Sequence, residues 1–122
     1  MILADTSVWI DHLRKGDPML ATLLNSGQIV MHPYVLGELA LGHIRQRAAV
    51  LNALQSMPRA KIAREDEVMF VIERWSFAGM GIGYVDAHLL AAIPLSPGSL
   101  LWTRDKRLRT VAESLAFHAN LK

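Results

Sequence analysis

Four acidic residues each stand inside an apolar stretch of the chain. The stretches are Ile2-Leu3-Ala4-Asp5-Thr6-Ser7, Val35-Leu36-Gly37-Glu38-Leu39, Gly83-Tyr84-Val85-Asp86-Ala87 and Leu101-Trp102-Thr103-Arg104-Asp105. Burying a carboxylate is costly unless it is paired or bound to a metal. A single divalent-metal site assembled from all four carboxylates is the simplest explanation for their placement.

The ligand types indicate which metal such a site prefers. The chain has no cysteine, and its histidines show no ligand spacing. Hard carboxylate oxygens therefore select Mg²⁺ or Mn²⁺ rather than zinc. Two ions, about 3.5–4 Å apart, would clamp the attacking and leaving oxygens of a phosphodiester. With one ion, Glu38 or Asp105 would instead orient the attacking water.

Short buried strands alternate with helices along the chain. Strands are predicted over residues 2–5, 29–31 and 100–103, with a further short one over 117–119. Helices are predicted over residues 6–16, 18–25, from 33 through 38, and over 45–56, 65–78, 84–92 and 106–115. This alternation is typical of a parallel sheet with helices on both faces. Ligands bind beyond the carboxyl ends of such strands, where Asp5 and Asp105 fall.

Length and composition restrict the class of protein. The 122 residues are enough for one domain, taken as 1–122, and an apolar content of 52% excludes disorder. No apolar run reaches the roughly 18 residues of a membrane span, and no secretory signal is recognised, so a cytoplasmic protein is expected. The net charge is only +2, but cations cluster around residues 14–15, 45–47, 59–64 and 104–109. These clusters are compatible with a polyanionic substrate, and also with solvated helix faces.

In order along the chain, the four acidic stretches resemble those of a PIN-domain nuclease, specifically a VapC-type toxin of a toxin–antitoxin pair. The matching stretches run from residue 3 to residue 108 and so span almost the whole chain. The resemblance implies a three-layer α/β/α sandwich with a short central parallel sheet. It also implies a Mg²⁺- or Mn²⁺-dependent endoribonuclease. The expected reaction is in-line attack of an activated water on an RNA phosphodiester, leaving 5′-phosphate and 3′-hydroxyl ends.

The resemblance also assigns residues to the expected site. By position, the family's acids fall on Asp5, Glu38, Asp86 and Asp105. The first and third of these are metal ligands in the family, and the other two complete the site directly or through water. Nearby hydroxyl positions of the family match Thr6, Ser7 and Thr103, which could orient a ligand or simply cap a helix.

Basic and histidine residues near these acids have less defined roles. Arg104, Lys106 and Arg107 follow or adjoin a predicted ligand, and they are expected to contact RNA phosphates. Asp11 is expected to be a solvated helix residue rather than a fifth ligand. His88 follows a predicted ligand by two residues, so on a helix it points away from the site and is expected to be structural or at the substrate edge.

The resemblance further implies protein partners. A small cognate antitoxin is expected to silence the enzyme, and a homodimer is expected by analogy. An antitoxin segment requires an apolar groove, which the first two helices could supply, although core packing explains the same residues. Those residues are Trp9, Leu13, Leu20, Leu23 and Leu24. The helices predicted over 45–56 and 65–78 are the candidates for a dimer contact.

Two other functions are compatible with parts of the pattern. One is a catalytically degenerate PIN module that binds RNA or protein, although all four acids are present. The other is aspartyl phosphotransfer with Asp5 as the nucleophile, although a haloacid-dehalogenase-like site requires a second aspartate where Ser7 stands. The chain also departs from the family pattern in its proline-rich stretch over residues 93–98, which is expected to shorten the preceding helix.

Overall fold

A three-stranded parallel sheet forms the centre of the molecule, in a computed structural model that describes all residues from 1 to 122. The strands are β1 (Ile2–Ala4), β2 (Ile29–Val30) and β3 (Leu100–Trp102), in the order β2-β1-β3. Ile2 of the central strand pairs with Ile29 on one side and with Leu100 on the other. All three strands therefore end at the same edge of the sheet.

Seven helices surround this sheet, and the expected α/β sandwich is confirmed. They are α1 (Thr6–Lys15), α2 (Pro18–Asn25), α3 (Pro33–Leu41), α4 (Arg47–Gln55), α5 (Glu65–Arg74), α6 (Tyr84–Ala92) and α7 (Lys106–Ser114). A short 3-10 turn over Ile93–Leu95 follows α6, where the proline-rich stretch begins. None of these helices combines the length and hydrophobicity needed to cross a bilayer.

Several helices begin at capping residues that the sequence makes recognisable. Asp17 accepts a hydrogen bond from the backbone N–H of Leu20, and Pro18 occupies the first position of α2. His32 caps α3 through Nδ1, which accepts a hydrogen bond from the N–H of Tyr34. These side chains satisfy backbone donors that have no partner inside the helix, and proline needs none.

The prediction that α5 extends to residue 78 was wrong, because the helix ends at Arg74. Ser76 adopts a left-handed backbone conformation, with φ of 56°. The N–H of Phe77 then donates to the carbonyl of Ile72 at 3.0 Å. This pattern of bonds closes a helix as a Schellman motif does, usually with glycine at the left-handed position.

The strand predicted over residues 117–119 is also shorter than expected. Its pairing is limited to one isolated parallel bridge between Leu101 and His118. The chain at Phe117 and Ala119 exchanges backbone hydrogen bonds of 2.7 and 2.8 Å with Leu101. A similar single bridge joins Met31 to Arg59 at the opposite edge. Both edges of the sheet are therefore covered by single-residue contacts rather than by full strands.

One cluster of 25 buried residues forms the hydrophobic core. Leu3 and Ala4 of β1 and Leu101 and Trp102 of β3 are almost completely inaccessible to solvent. Because β1 is covered on both faces, its sequence is apolar throughout, as is usual for a parallel strand. The residues that follow β1 and β3 are thus held by the most rigid part of the molecule.

Candidate active site

Asp5 lies directly after β1 and is the most buried of the four candidate acids, with 5% of its surface exposed. Its Oδ1 accepts hydrogen bonds from the N–H and hydroxyl of Ser7, at 3.0 and 2.5 Å. It also caps α1 through a longer bond from the N–H of Val8. Its Oδ2 accepts a 2.5 Å bond from the hydroxyl of Thr103. The carboxylate is therefore fixed in orientation by both neighbouring segments.

Burial raises the pKa of Asp5, although its hydrogen bonds to Ser7, Thr103 and Val8 act in the opposite direction. Desolvation disfavours the charged form of a carboxyl group. The chain's ion pairs involve Asp11, Asp17, Asp66, Glu67 and Glu113, and none involves a candidate acid. The four candidate acids thus have no ion-pair partner among the chain's cations.

Two hydroxyl groups join the end of β1 to the end of β3. The hydroxyl of Ser7 accepts a 2.9 Å bond from the N–H of Arg104. The hydroxyl of Thr103 accepts a 3.0 Å bond from the N–H of Asp105. Each hydroxyl also donates to Asp5. Ser7 and Thr103 thus orient the carboxylate of Asp5 and position the loop that carries Asp105.

Asp105 and Glu38 are exposed to solvent, in contrast to Asp5. Asp105 caps α7, and its Oδ1 accepts a 2.9 Å bond from the N–H of Leu108. Glu38 lies on α3, where its Oε1 accepts a 2.6 Å bond from the hydroxyl of Thr6 at the start of α1. The four acids, which all stand in apolar stretches of the sequence, therefore differ in burial. Two of them face solvent at the open side of the site.

Asp86 connects the four acids electrostatically. It lies in the first turn of α6, and its Oδ2 accepts a 3.0 Å bond from the N–H of Gly83. Burial raises its pKa, and so does repulsion from the charges of three other groups, which are Asp105, Asp5 and Glu38. Repulsion of this kind requires the groups to lie close together. The four acids, which come from four different segments, therefore surround one region.

The chemistry and charge of the four carboxylates fit a hard divalent cation. Their side chains, however, are not in positions from which they could bind one ion together. The four candidate ligands offer only carboxylate oxygens, which Mg²⁺ and Mn²⁺ prefer. No three acidic or histidine side chains are arranged to hold one ion together. Each carboxylate is instead turned towards hydrogen-bond donors of its own chain. Holding an ion would require some of these side chains, which include the two exposed ones, to rotate.

Arg104 does not point freely into the site, so the expectation that it contacts phosphates lacks support. Its Nη1 donates to Asp11 at 2.7 Å, and its Nη2 pairs with Asp17. Its Nε donates to the carbonyl of Lys122 at 2.9 Å, and its guanidinium lies 5.3 Å from the ring centre of Trp102. Asp11 is likewise an ion-pair partner rather than a freely solvated residue. Arg104 therefore connects the loop after β3 to α1 and to the start of α2.

Lys106 and Arg107 remain the exposed cations next to Asp105. The side chain of Arg107 lies over Gly81, where an added Cβ would approach its Cδ to 2.8 Å. This contact brings the glycine-containing loop before α6 against the first turn of α7. Both cations are placed so that a polyanion could meet them at the rim of the acidic region.

His88 is buried and packs among aromatic rings, as expected for a structural residue. Its ring centre lies 4.5 Å from that of Tyr34 and 4.8 Å from that of Tyr84. The neighbouring His32 is also fully buried, and burial together with the charge of His88 lowers its pKa to about 4. Sequence reasoning missed this cluster, although the dipeptide His32-Pro33 gave a signal for the cap.

A groove with a mixed lining opens beside Glu38, with a volume of about 440 Å³. It is lined by Ile10, Leu13, Arg14, Glu38, Leu39, Gly42, His43, Ile44 and Arg45. Of the two helices expected to supply a groove, only α1 lines this one. Trp9 and Leu20 are buried in the core, and the segment after α3 supplies the second wall instead.

Comparison with known proteins places this geometry in a family context. The model of the PIN domain family matches residues 2–114. The chain is 48% identical over 115 residues to Ribonuclease VapC32 from two strains of Mycobacterium tuberculosis, and the match covers 93% of each protein. The matched region contains all four acids and every segment that positions them.

Proposed function

Because this chain belongs to the PIN domain family and is a ribonuclease toxin of the VapC type, we propose that it cleaves RNA at its acidic cluster with a divalent metal ion. The observation that carries the metal requirement is the uncompensated charge of the cluster. Burial raises the pKa of Asp86, repulsion from three neighbouring carboxylates raises it further, and none of the four acids forms an ion pair. A bound cation would remove this repulsion.

Asp5 and Asp86 are the proposed metal ligands. Asp5 is held by Ser7 and Thr103, so little ordering is needed when an ion binds. The pKa of Asp86 is raised by burial and by the charges of the other three acids, so Asp86 lies near them. Glu38 and Asp105 would complete the site directly or through water. When bound, Mg²⁺ or Mn²⁺ would polarise a phosphoryl oxygen and lower the pKa of the attacking water.

The remaining steps are assigned to the chain's own side chains. Glu38 and Asp105 are exposed at the open side of the site, where either carboxylate can accept a proton from the attacking water. Thr6 holds Glu38 through its 2.6 Å hydrogen bond. The proposed products carry a 5′-phosphate and a 3′-hydroxyl. Lys106 and Arg107 would attract the RNA backbone and offset the repulsion between its phosphates and the acids.

The groove beside Glu38 is the proposed docking site for a segment of the cognate antitoxin. Its apolar wall includes Ile10 and Leu13, and Glu38 itself forms part of its lining. A bound segment would therefore lie against Glu38, at one side of the candidate catalytic cluster. A homodimer through α4 and α5 is proposed by analogy, and the exposed Phe70 on α5 is consistent with it. A cytoplasmic location is part of the same proposal, since the RNA substrate is there.

Aspartyl phosphotransfer receives less support from the geometry. Ser7 stands where a haloacid-dehalogenase-like site requires a second aspartate, and its hydroxyl donates to Oδ1 of Asp5. The test of the proposal is cleavage of total RNA by the purified protein with Mg²⁺ or Mn²⁺, followed by mapping of new 5′-phosphate ends. Cleavage should disappear with EDTA and in the Asp86→Asn variant. Metal binding without cleavage of any RNA would indicate a degenerate binding module.

A further inference from the structure

Both tyrosines of the chain lie partly exposed on the two helices that carry Glu38 and Asp86. Tyr34 is 38% exposed and Tyr84 is 49% exposed. Tyr34 precedes Glu38 by four residues on α3, so the two side chains share one face of that helix. Tyr84 is the first residue of α6, whose first turn contains Asp86. Tyr34 therefore lies beside Glu38, whereas Tyr84 projects from a different side of α6 than Asp86 and is brought next to Tyr34 by their shared contact with His88.

Buried histidines hold the two tyrosine rings in place. His88 contacts both rings nearly edge to face, and its ring centre lies 4.5 Å from Tyr34 and 4.8 Å from Tyr84. His32 supports Tyr34 from below at 5.1 Å. Both histidines are almost fully buried, with 0% and 3% exposure. The rings thus rest on a rigid base and present their outer parts to solvent.

The chemistry of the neighbouring site indicates which molecule meets these rings. A cluster of carboxylates repels phosphates, so contacts that do not depend on charge would add to those that Lys106 and Arg107 make with the RNA backbone. Stacking of bases on aromatic rings supplies such contacts, and it is open to every base because each has a π-face. Along α3, Tyr34 lies about 6 Å from Glu38. A nucleotide next to a phosphate at Glu38 can therefore reach the ring of Tyr34, and Tyr84 lies on the far side of the shared His88 contact.

We propose that Tyr34 and Tyr84 form a stacking platform for unpaired bases that flank the scissile phosphate. This inference rests on the proposed ribonuclease function and specifies its substrate class. Bases inside a duplex are already stacked and paired, so the platform selects single-stranded segments or loops. The tyrosines contribute to substrate binding and positioning, and the chemical step remains with the acids.

The test pairs protein variants with altered RNA. An RNA oligonucleotide cleaved by the wild-type protein is prepared with one abasic residue at each position flanking the mapped cleavage site, and with a distant abasic residue as control. A flanking abasic residue should lower kcat/KM about tenfold, and so should Tyr34→Ala or Tyr84→Ala. Combining the variant with the abasic residue that it contacts should cause no further loss. Tyr→Phe at either position should retain activity, and the distant abasic residue should have no effect.

Two outcomes would overturn the platform. Full activity of both alanine variants would do so, and it would favour a protein partner for this surface. The platform would also be overturned if the losses of kcat/KM caused by the abasic residue and by the alanine variant add when the two are combined. The same assays are made on Tyr34→Leu and Tyr84→Leu. If a leucine variant melts at the wild-type temperature, its loss of kcat/KM is not caused by unfolding. Failure of the wild-type protein to cleave any RNA would instead overturn the ribonuclease function itself, and the platform with it.

Discussion

The hydroxyl of Thr103 donates a 2.5 Å hydrogen bond to Oδ2 of Asp5, and so joins two residues that are 98 positions apart in the sequence. Thr103 is completely buried and Asp5 nearly so. The same hydroxyl accepts a bond from the N–H of Asp105. Thr103, together with Ser7, thus links the acid after β1 to the segment that carries the acid after β3.

Replacing Thr103 with valine should weaken both stability and activity. The valine keeps the shape of the side chain but leaves a buried carboxylate oxygen and a backbone N–H without their partner. The expected loss is about 2–3 kcal/mol in the free energy of unfolding, measured by urea denaturation. RNA cleavage should fall at least about tenfold in kcat, because the orientation of Asp5 is lost.

Thr103→Ser is the matched control for this prediction. It retains the hydroxyl and removes one methyl group, so cleavage should stay within a few-fold of the wild type. If Thr103→Val cleaves RNA as fast as Thr103→Ser, the hydrogen bond to Asp5 has no role in catalysis.

Asp86→Asn should abolish cleavage and yet stabilise the metal-free protein at neutral pH. The pKa of Asp86 is raised in the folded state, by burial and by repulsion from the other acids. Its contribution to stability is therefore greatest below the unfolded pKa of 3.8 and is lost as pH rises through the folded pKa. The neutral amide avoids this loss. Thermal melting in EDTA should show a higher Tm for the variant than for the wild type at pH 7.

Asp66→Asn is the control for that comparison. Asp66 is an exposed residue of α5 that pairs with Arg64, and its pKa is lowered chiefly by that contact. Its replacement should leave the Tm nearly unchanged and cleavage intact. A Tm for Asp86→Asn below that of the wild type would show that Asp86 is not under net repulsion.

Mg²⁺ or Mn²⁺ should stabilise the wild-type protein and have much less effect on Asp86→Asn. A ligand that binds only the folded state stabilises it by about 2.7 kcal/mol at a hundredfold excess over its Kd. The measurement is Tm against metal concentration, with isothermal titration calorimetry to count the ions. Equal stabilisation of the two proteins would place the metal away from Asp86.

Arg104 and Arg107 should differ in their contribution to RNA binding, although only three positions separate them. Arg104 is engaged by Asp11 and Asp17, whereas Arg107 is exposed. In a cleavage-deficient background, Arg107→Gln should reduce the slope of log affinity against log salt by about one. Arg104→Gln should leave that slope nearly unchanged and lower the stability instead. The reverse pattern would mean that Arg104 leaves its acidic partners to bind RNA.

His32 should make the protein less stable in mild acid. Burial, with a smaller effect from His88, lowers its pKa from 6.5 to about 4. The neutral form is favoured in the fold, so its contribution is present above pH 6.5 and is lost as pH falls towards 4. The full effect is about 3 kcal/mol. Urea denaturation across this pH range should show a correspondingly smaller pH dependence for His32→Asn, which keeps a capping side chain. If the free energy of unfolding depends on pH in the same way in the wild type and in His32→Asn, the lowered pKa of His32 is contradicted.

Much of the fold was predictable because its signals are local. The predicted strands match β1, β2 and β3 to within a residue at each end. The helix starts at Asp17-Pro18 and His32-Pro33 were recognisable because capping is a short-range interaction. The end of α5 was not, since it depends on Ser76 and on packing of Trp75 against Phe77 and Phe117. No local signal in the sequence marks those contacts.

The candidate site shows the same division between local and distant information. Positions of the four acids followed from the sequence, and their mutual repulsion agrees with the expectation of a shared region. Their roles as ligands stay a prediction. The environment of Arg104 could not be anticipated, because its partners Asp17 and Asp11 lie 87 and 93 positions away. Because Arg104 precedes Asp105 in the sequence, it was expected to contact a phosphate. In the structure it instead connects the loop after β3 to α1 and to the start of α2.

The order of strands in the sheet has a consequence during synthesis of the protein. β1 can pair with β2 as soon as residue 30 is available, but its second neighbour is β3, which begins at Leu100. Thr103, Asp105 and the segment bridged at His118 come later still. A growing chain on the ribosome therefore carries Asp5, Glu38 and Asp86 without the strand that aligns them. The candidate site can therefore be assembled only after residues 100–105 have been synthesised.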